Sequence, residues 1–136
     1  MKNSILAATF ALLLFTVSCS SVQKNVQMPE KTHVTVEIDY GGKMPSGKSE
    51  VVWDESQITA LQALQAVAKV ETHPVGKYTF VASINQVEAK RGDMGWYYTV
   101  NGKKTKKLAT WYILENGDTV TWIYKKDVCS EKGDKE

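Results

Sequence analysis

The residues that could do chemistry are few and poorly grouped. His33 opens the run "THVTVEIDY" and His73 lies in "ETHPVG", and neither has a Cys or an acid at the spacing of a metal-ligand set. The stretch "YGGKMPSGK" lacks the four-residue gap before Gly-Lys-Ser/Thr that cradles a phosphate, and it follows a hairpin strand. No Gly-x-Ser-x-Gly elbow presents a nucleophile. Ser and Asp are plentiful, but without a positioned His they are solvated polar groups. Neither an enzymatic activity nor a cofactor is therefore expected, and what remains is chemistry for binding.

Two features could bind. The first is "KKTKK", with Lys103, Lys104, Lys106 and Lys107 beside aromatics. Four ammoniums on one loop suit anionic lipid headgroups, an anionic glycan or an acidic partner; a solvated loop tip, exposed to water and tolerant of charge, is the stronger reading. The chain as a whole holds 17 Lys and Arg against 15 Asp and Glu, so it has no overall nucleic-acid signature and nucleic acid is not an expected partner.

The second feature is the aromatic run "GWYYTVNG", followed by Trp111, Tyr112 and "TVTWIYK". Side chains alternate across a strand. Trp96, Tyr98 and Val100 therefore share one face, and Tyr97 and Thr99 the other. In the last strand Val120, Trp122 and Tyr124 stand against Thr119, Thr121 and Ile123. One set must meet a covering layer. The other lies on an open face, which either binds a flat apolar ligand or partner or is simply a half-wet sheet.

The elements that must position these residues read as follows. In "THVTVEIDY", Val34, Val36 and Ile38 alternate with Thr35, Glu37 and Asp39, the pattern of a half-buried strand. A Gly/Pro/Ser turn leads to a second strand in "SEVVWD", forming a hairpin. "DESQITALQALQAVAKVE" predicts the single helix, capped by Asp54 or Ser56, with a stripe of Ile58, Leu61, Leu64, Val67 and Ala68. The helix is expected to stop at "THPVG". "KYTFVASINQVEAK" is a third strand region, with Phe80, Ala82 and Ile84 alternating against Val81 and Ser83. "WYYTV" is a fourth strand, "NGKKTKK" a loop, "ATWYIL" a short strand, "ENGD" a turn and "TVTWIYKK" the last strand. The expected fold is α+β: a mixed sheet of about five strands with one helix crossing one face.

The N-terminus reads as a targeting segment. Lys2, an apolar run from Ile5 to Phe15 and small residues up to Cys19 have the layout of a secretory signal peptide. "FTVSC" resembles the lipobox of bacterial lipoproteins, with Thr16 where Leu is usual. Residues 1–18 are then the signal peptide, and Cys19 is lipidated at the head of a tether over 19–31. The folded domain spans 32–125 and a charged tail 126–136. The other reading is a plain signal peptide cut near Cys19, which leaves a Cys19–Cys129 bridge open. With Cys19 lipidated, Cys129 is a spare thiol, either inert or available to a second chain. The expected location is outside the cytoplasm, in the periplasm or on the cell surface, held to the membrane by the lipid.

The stretch from "VASINQVEAK" through "GWYYTVNG" to the Gly117-Asp118 before "TVTWIY" resembles the C-terminal domain of the cobalamin carriers transcobalamin and intrinsic factor. It resembles still more the stand-alone bacterial transcobalamin-like C-terminal domains of unknown function. The resemblance covers about residues 32–125. It implies a β-grasp-like fold with ligand contacts from the Ser-Ile-Asn strand and from the loop after the Trp strand. Carried over, these are Val81, Ser83 and Asn85 and the loop over 102–107, including Lys103, Lys104 and Thr105, with Trp96 and Tyr98 on the strand between. The carriers press an apolar loop on the corrin, where this chain has "KKT". They also close the other side with a helical barrel, for which this chain has no counterpart. With one jaw, less ligand area is buried and less affinity is expected.

The expectation is thus a lipid-anchored, extracytoplasmic ligand-binding module, with cobalamin or another corrinoid the first ligand to test. The alternative is a non-enzymatic adhesion or scaffolding module that docks a surface protein or polymer without a small ligand.

Overall fold

A computed structural model describes residues 30–54 and 57–127. The proposed signal peptide, Cys19, most of the tether, Ser56 and Cys129 lie outside the described residues. Strand β1 (Thr32–Asp39) buries Val34, Val36 and Ile38, as its alternation requires. It turns through Gly41 and Gly42 into β2 (Gly47–Trp53), its antiparallel partner. Gly41 has φ +62°, and a Cβ there would stand 2.5 Å from the carbonyl oxygen of Tyr124, so this position admits only glycine without a backbone shift.

The helix is shorter than its stripe predicts. Ile58–Thr59 forms a two-residue strand, β3, and α1 runs only over Ala60–Val67. The cap is Thr59, not Asp54 or Ser56. Its hydroxyl accepts from the Gln62 N–H at 3.2 Å, while Gln62 Oε1 accepts from the Thr59 N–H at 2.9 Å. This is the reciprocal capping box spelled by "TALQ". The next two orphan donors go to a distant segment: Ala60 N–H to Tyr112 O at 2.9 Å and Leu61 N–H to Ala109 O at 3.0 Å. Residues 108–112 are thereby fixed over the helix start. Ala60, Ala63, Leu61 and Leu64 are buried, and Val67 and Ala68 only partly.

After Ala68 the chain does not loop. "VETHPV" forms a strand, β4 (Val70–Val75), which the helical stripe had masked. It pairs with β5 (Tyr78–Ile84), and β5 pairs in turn with β6 (Val87–Glu88). Pro74 is tolerated because β4 is an edge of this three-stranded sheet. A bulge interrupts the β4–β5 register: Glu71 faces Ser83 but Thr72 faces Val81, so Ala82 is skipped. An extra residue swings every side chain beyond it to the other face. Ile84 is accordingly buried while Phe80 and Tyr78 are exposed, although strict alternation had placed Phe80 with Ile84.

The remaining strands are β7 (Met94–Val100), β8 (Lys103–Lys104), β9 (Ile113–Leu114) and β10 (Thr119–Lys126). The "NGKKTKK" loop contains a hairpin: Asn101 and Gly102, with φ +51° and +74°, make a tight two-residue turn into β8. The main sheet has the order β2-β1-β10-β7-β8, with β1 and β10 parallel and the other pairs antiparallel. The short β3 pairs with β9. Among the described residues the fold is α+β, a mixed five-stranded sheet with one helix, a three-stranded sheet and the two-stranded β3–β9 pair.

The core lies on one face of the five-stranded sheet. Val34, Val36, Val51, Val100, Val120, Trp122 and Tyr124 point into it, and Leu64, Ala60 and Ile84 meet them from the helix and the smaller sheet. The other face carries Tyr97, Thr99, Thr121 and Ile123, all half-buried.

Candidate functional site

Most residues picked out in the sequence hold the fold together. Ser83 is buried, 3% exposed, on β5. Asn85 begins the tight turn to β6 with φ +47°. Its backbone N–H donates to Lys69 O at 2.8 Å, its Oδ1 accepts from the Lys69 N–H at 2.9 Å, and its Nδ2 donates to the Tyr40 hydroxyl at 2.7 Å. Those bonds join β5 to the end of the helix and to the end of β1. Val81 is half-buried against the core.

Trp96 is also turned inward. Its indole N–H donates to Val87 O at 2.9 Å, and its ring meets Tyr40 at 5.7 Å and Tyr124 at 5.0 Å. Tyr98 stacks on Trp122 at 5.1 Å and donates its hydroxyl to Lys107 O at 2.6 Å. Desolvation raises the Tyr98 pKa, partly offset by a hydrogen bond that the Thr105 hydroxyl donates. Tyr98 thus clamps the end of the basic loop.

That loop does form a concavity. An open cleft of about 610 Å³ is lined by Lys103, Lys104, Lys106 and Lys107 with Tyr112 and Ile113. The Thr105 hydroxyl accepts from the Lys107 N–H at 3.1 Å, which shapes the bend, and Lys107 Nζ sits 5.8 Å from the Tyr112 ring centre. Among the described residues none of the four ammoniums makes a salt bridge. Asp118, at the cleft edge, is already engaged, accepting from Asn101 Nδ2 at 2.7 Å and from the Glu115 N–H at 2.8 Å. With Glu115 also on the lining, four ammoniums stand against two carboxylates, so the cleft carries a net positive charge.

A second surface escaped the sequence reading. Tyr78, Phe80 and Trp111 are 40%, 47% and 55% exposed and touch one another: Tyr78–Phe80 at 6.5 Å and Tyr78–Trp111 at 6.0 Å between ring centres. Val75 stands opposite Tyr78 and His73 opposite Phe80, both exposed. The segment 111–113 joins this surface to the cleft, because Ile113 lines the cleft and Trp111 completes the ring cluster. The bulge at Ala82 created the surface, and no local pattern announces a bulge. Trp111, which the sequence places in a short strand "ATWYIL", lies instead in a turn, so strand parity could not say which way it faces. Among the described residues no group of three or more His, Cys, Asp or Glu could hold a metal ion, and no helix is long and apolar enough to cross a membrane.

The family model described as "Domain of unknown function (DUF4430)" matches residues 58–126. Among solved structures, one is a protein of Ruminococcus gnavus ATCC 29149 described as a "putative metal binding protein". It is 18% identical, with a TM-score of 0.56, over 71% of this chain and 98% of that one. Another is haptocorrin in complex with Cbi, 15% identical, with a TM-score of 0.59, over 82% of this chain. The match spans 29% of haptocorrin's length. At these identities the likeness is one of fold. A comparison with curated proteins finds no match.

Proposed function

The chain belongs to the DUF4430 family of domains of unknown function, and from that premise we propose that it is an exported, lipid-anchored ligand-binding module with no catalytic role. We read its architecture as β-grasp-like, the helix and small sheet covering one face of the main sheet. The observation that carries the reading is the exposed ring cluster of Tyr78, Phe80 and Trp111 beside the basic cleft. Contiguous exposed aromatics cost solubility and are kept where something lies on them. A flat ligand with an apolar face and an anionic arm suits the pair of surfaces. A corrinoid with its nucleotide phosphodiester has both parts, and the fold it shares with a part of haptocorrin supports testing it first.

The test is titration of the detergent-purified full-length chain with cyanocobalamin and with cobinamide, followed by calorimetry and absorbance. Saturable binding is expected, weakened about tenfold or more by Trp111→Ala. Neutralising the four loop lysines should weaken cyanocobalamin more than cobinamide, which lacks the phosphate. No saturable binding at high-micromolar protein sinks the corrinoid reading.

A docking role has its own support. The outer edge of β2 is unpaired among the described residues and carries no proline, so an extended segment of a surface protein could add to it. Pull-down partners lost on Val52→Pro and unchanged by Trp111→Ala would favour this reading over ligand binding.

A further inference from the structure

The two histidines stand in different situations. His33 Nδ1 lies 3.7 Å from Glu50 Oε1 on the polar face of the main sheet. His73 is exposed, and among the described residues its imidazole makes no hydrogen bond or ion pair. It contributes no polar contact to the fold. Its position is specific, however, because it is the direct cross-strand partner of Phe80, as Val75 is of Tyr78. Directly opposed residues share a face, with Cβ atoms about 5 Å apart. One imidazole therefore rises from an apolar surface made by Val75, Phe80 and Tyr78, which Trp111 extends.

Strand side chains stand roughly perpendicular to their sheet, so the His73 imidazole stands on the same side of the sheet as the Phe80 ring. A lone imidazole does not retain a bare divalent cation, which takes about three or four protein donors. The described residues offer no such set. It does suffice for a metal whose equatorial positions are already filled by a macrocycle, because only an axial donor is then missing. The apolar floor around it suits the face of that macrocycle.

We propose that His73 is an axial ligand to the metal of a tetrapyrrole that lies on the Val75, Tyr78, Phe80 and Trp111 face. The proposal rests on the ligand-binding reading above and specifies its geometry: a nitrogen–metal bond forms as water or another weak axial ligand leaves, with no change of oxidation state. Corrinoid and haem share this chemistry. Lys77, whose Nζ sits 5.3 Å from the Tyr78 ring centre, stands where a haem propionate or the nucleotide phosphodiester of a complete corrinoid could pair with it.

The experiment uses tag-free, full-length protein and cob(II)inamide as the probe, read by electron paramagnetic resonance. A nitrogen on the cobalt axis splits the cobalt lines into triplets. The splitting is expected in the wild type and in His33→Ala, and absent in His73→Ala. Trp111→Ala should keep the splitting while weakening binding. Cobinamide bound without nitrogen splitting, or splitting that survives His73→Ala, overturns the His73 assignment and leaves the ligand-binding reading standing. Haemin, followed by its Soret shift, separates the two sources. A shift that depends on His73, with no cobinamide binding, upholds the axial ligand and rejects the corrinoid. Failure of both probes rejects this inference along with the corrinoid reading.

Discussion

Two groups of aromatic side chains in this molecule have similar composition and opposite fates. On the β7–β10 seam, Trp96, Tyr98, Trp122 and Tyr124 face the core, and three of them place their polar tips on backbone carbonyls: Val87 O, Lys107 O and Glu88 O. Two of those bonds tie the main sheet to β6 and the third ties it to the basic loop. In the other group, Tyr78, Phe80 and Trp111 touch mainly one another and leave about half their surface in water. Aromatic density alone does not separate platform from core; burial does, and in three of the four core rings the polar tip marks it, the exception being Trp122, whose buried indole N–H has no hydrogen-bond partner among the described residues. An indole whose N–H is answered by buried backbone is structural. A cluster whose rings answer only each other is available.

That contrast can be broken most forcefully at the seam. Trp96→Ala removes a ring packed on Tyr40 and Tyr124 and the indole bond to the Val87 carbonyl, so it should lower stability by about 3–5 kcal/mol, read as a fall in the urea midpoint. A loss under about 1 kcal/mol would mean the seam is not the core. Gly41→Ala comes next. It puts a Cβ against the Tyr124 carbonyl in a left-handed backbone, and about 1–3 kcal/mol should be lost. Gly42→Ala, with open space around its Cβ position, separates the clash from the backbone term.

The seam was readable in the sequence because strict alternation survives along β1, β7 and β10. Val34, Val36 and Ile38, then Trp96, Tyr98 and Val100, then Val120, Trp122 and Tyr124 each share a face, and the register pairs them in rows, such as Ile38 beside Trp122 beside Tyr98. Parity could not say which face would be covered, because that depends on where distant elements land. The exposed cluster was unreadable for a related reason. Phe80 counts in phase with Ile84, and only the skipped Ala82 reverses it. Strand β4 was lost because "QAVAKVE" continues the helical period, whereas the chain turns extended at Ala68 and is locked by the Lys69–Asn85 pair of hydrogen bonds. The strands β3, β8 and β9, two residues each, exist only through their partners. The "TALQ" capping box was legible but competed with Asp54 and Ser56 upstream.

The seam should also show itself in alkali. Burial raises the Tyr124 pKa above its ordinary 10.0, with Asp93 and Glu88 adding to the rise, and burial likewise raises that of Tyr98. Above pH 10 the unfolded chain gives up these protons before the folded chain does, so the folded state then holds more protons and stability falls with pH. The stabilising share is fully present below pH 10 and is lost as pH climbs through the folded values. Tyr124→Phe should flatten the fall in urea midpoint above pH 10.

The smallest effect is the most telling. Trp111→Ala takes away the most exposed large apolar side chain among the described residues, at 55%. Its backbone role, the N–H to Leu108 O at 2.9 Å, survives the change, and so do the carbonyls of Ala109 and Tyr112 that hold the helix start. Stability should therefore move by no more than about 0.5 kcal/mol, in either direction. If the urea midpoint held while ligand affinity dropped, the cluster would be separated from the core by function as well as by position. If stability fell as it does for Trp96→Ala, Trp111 would instead be a packing residue that happens to lie at the surface. The distinction drawn from burial would then fail at the residue where it matters most.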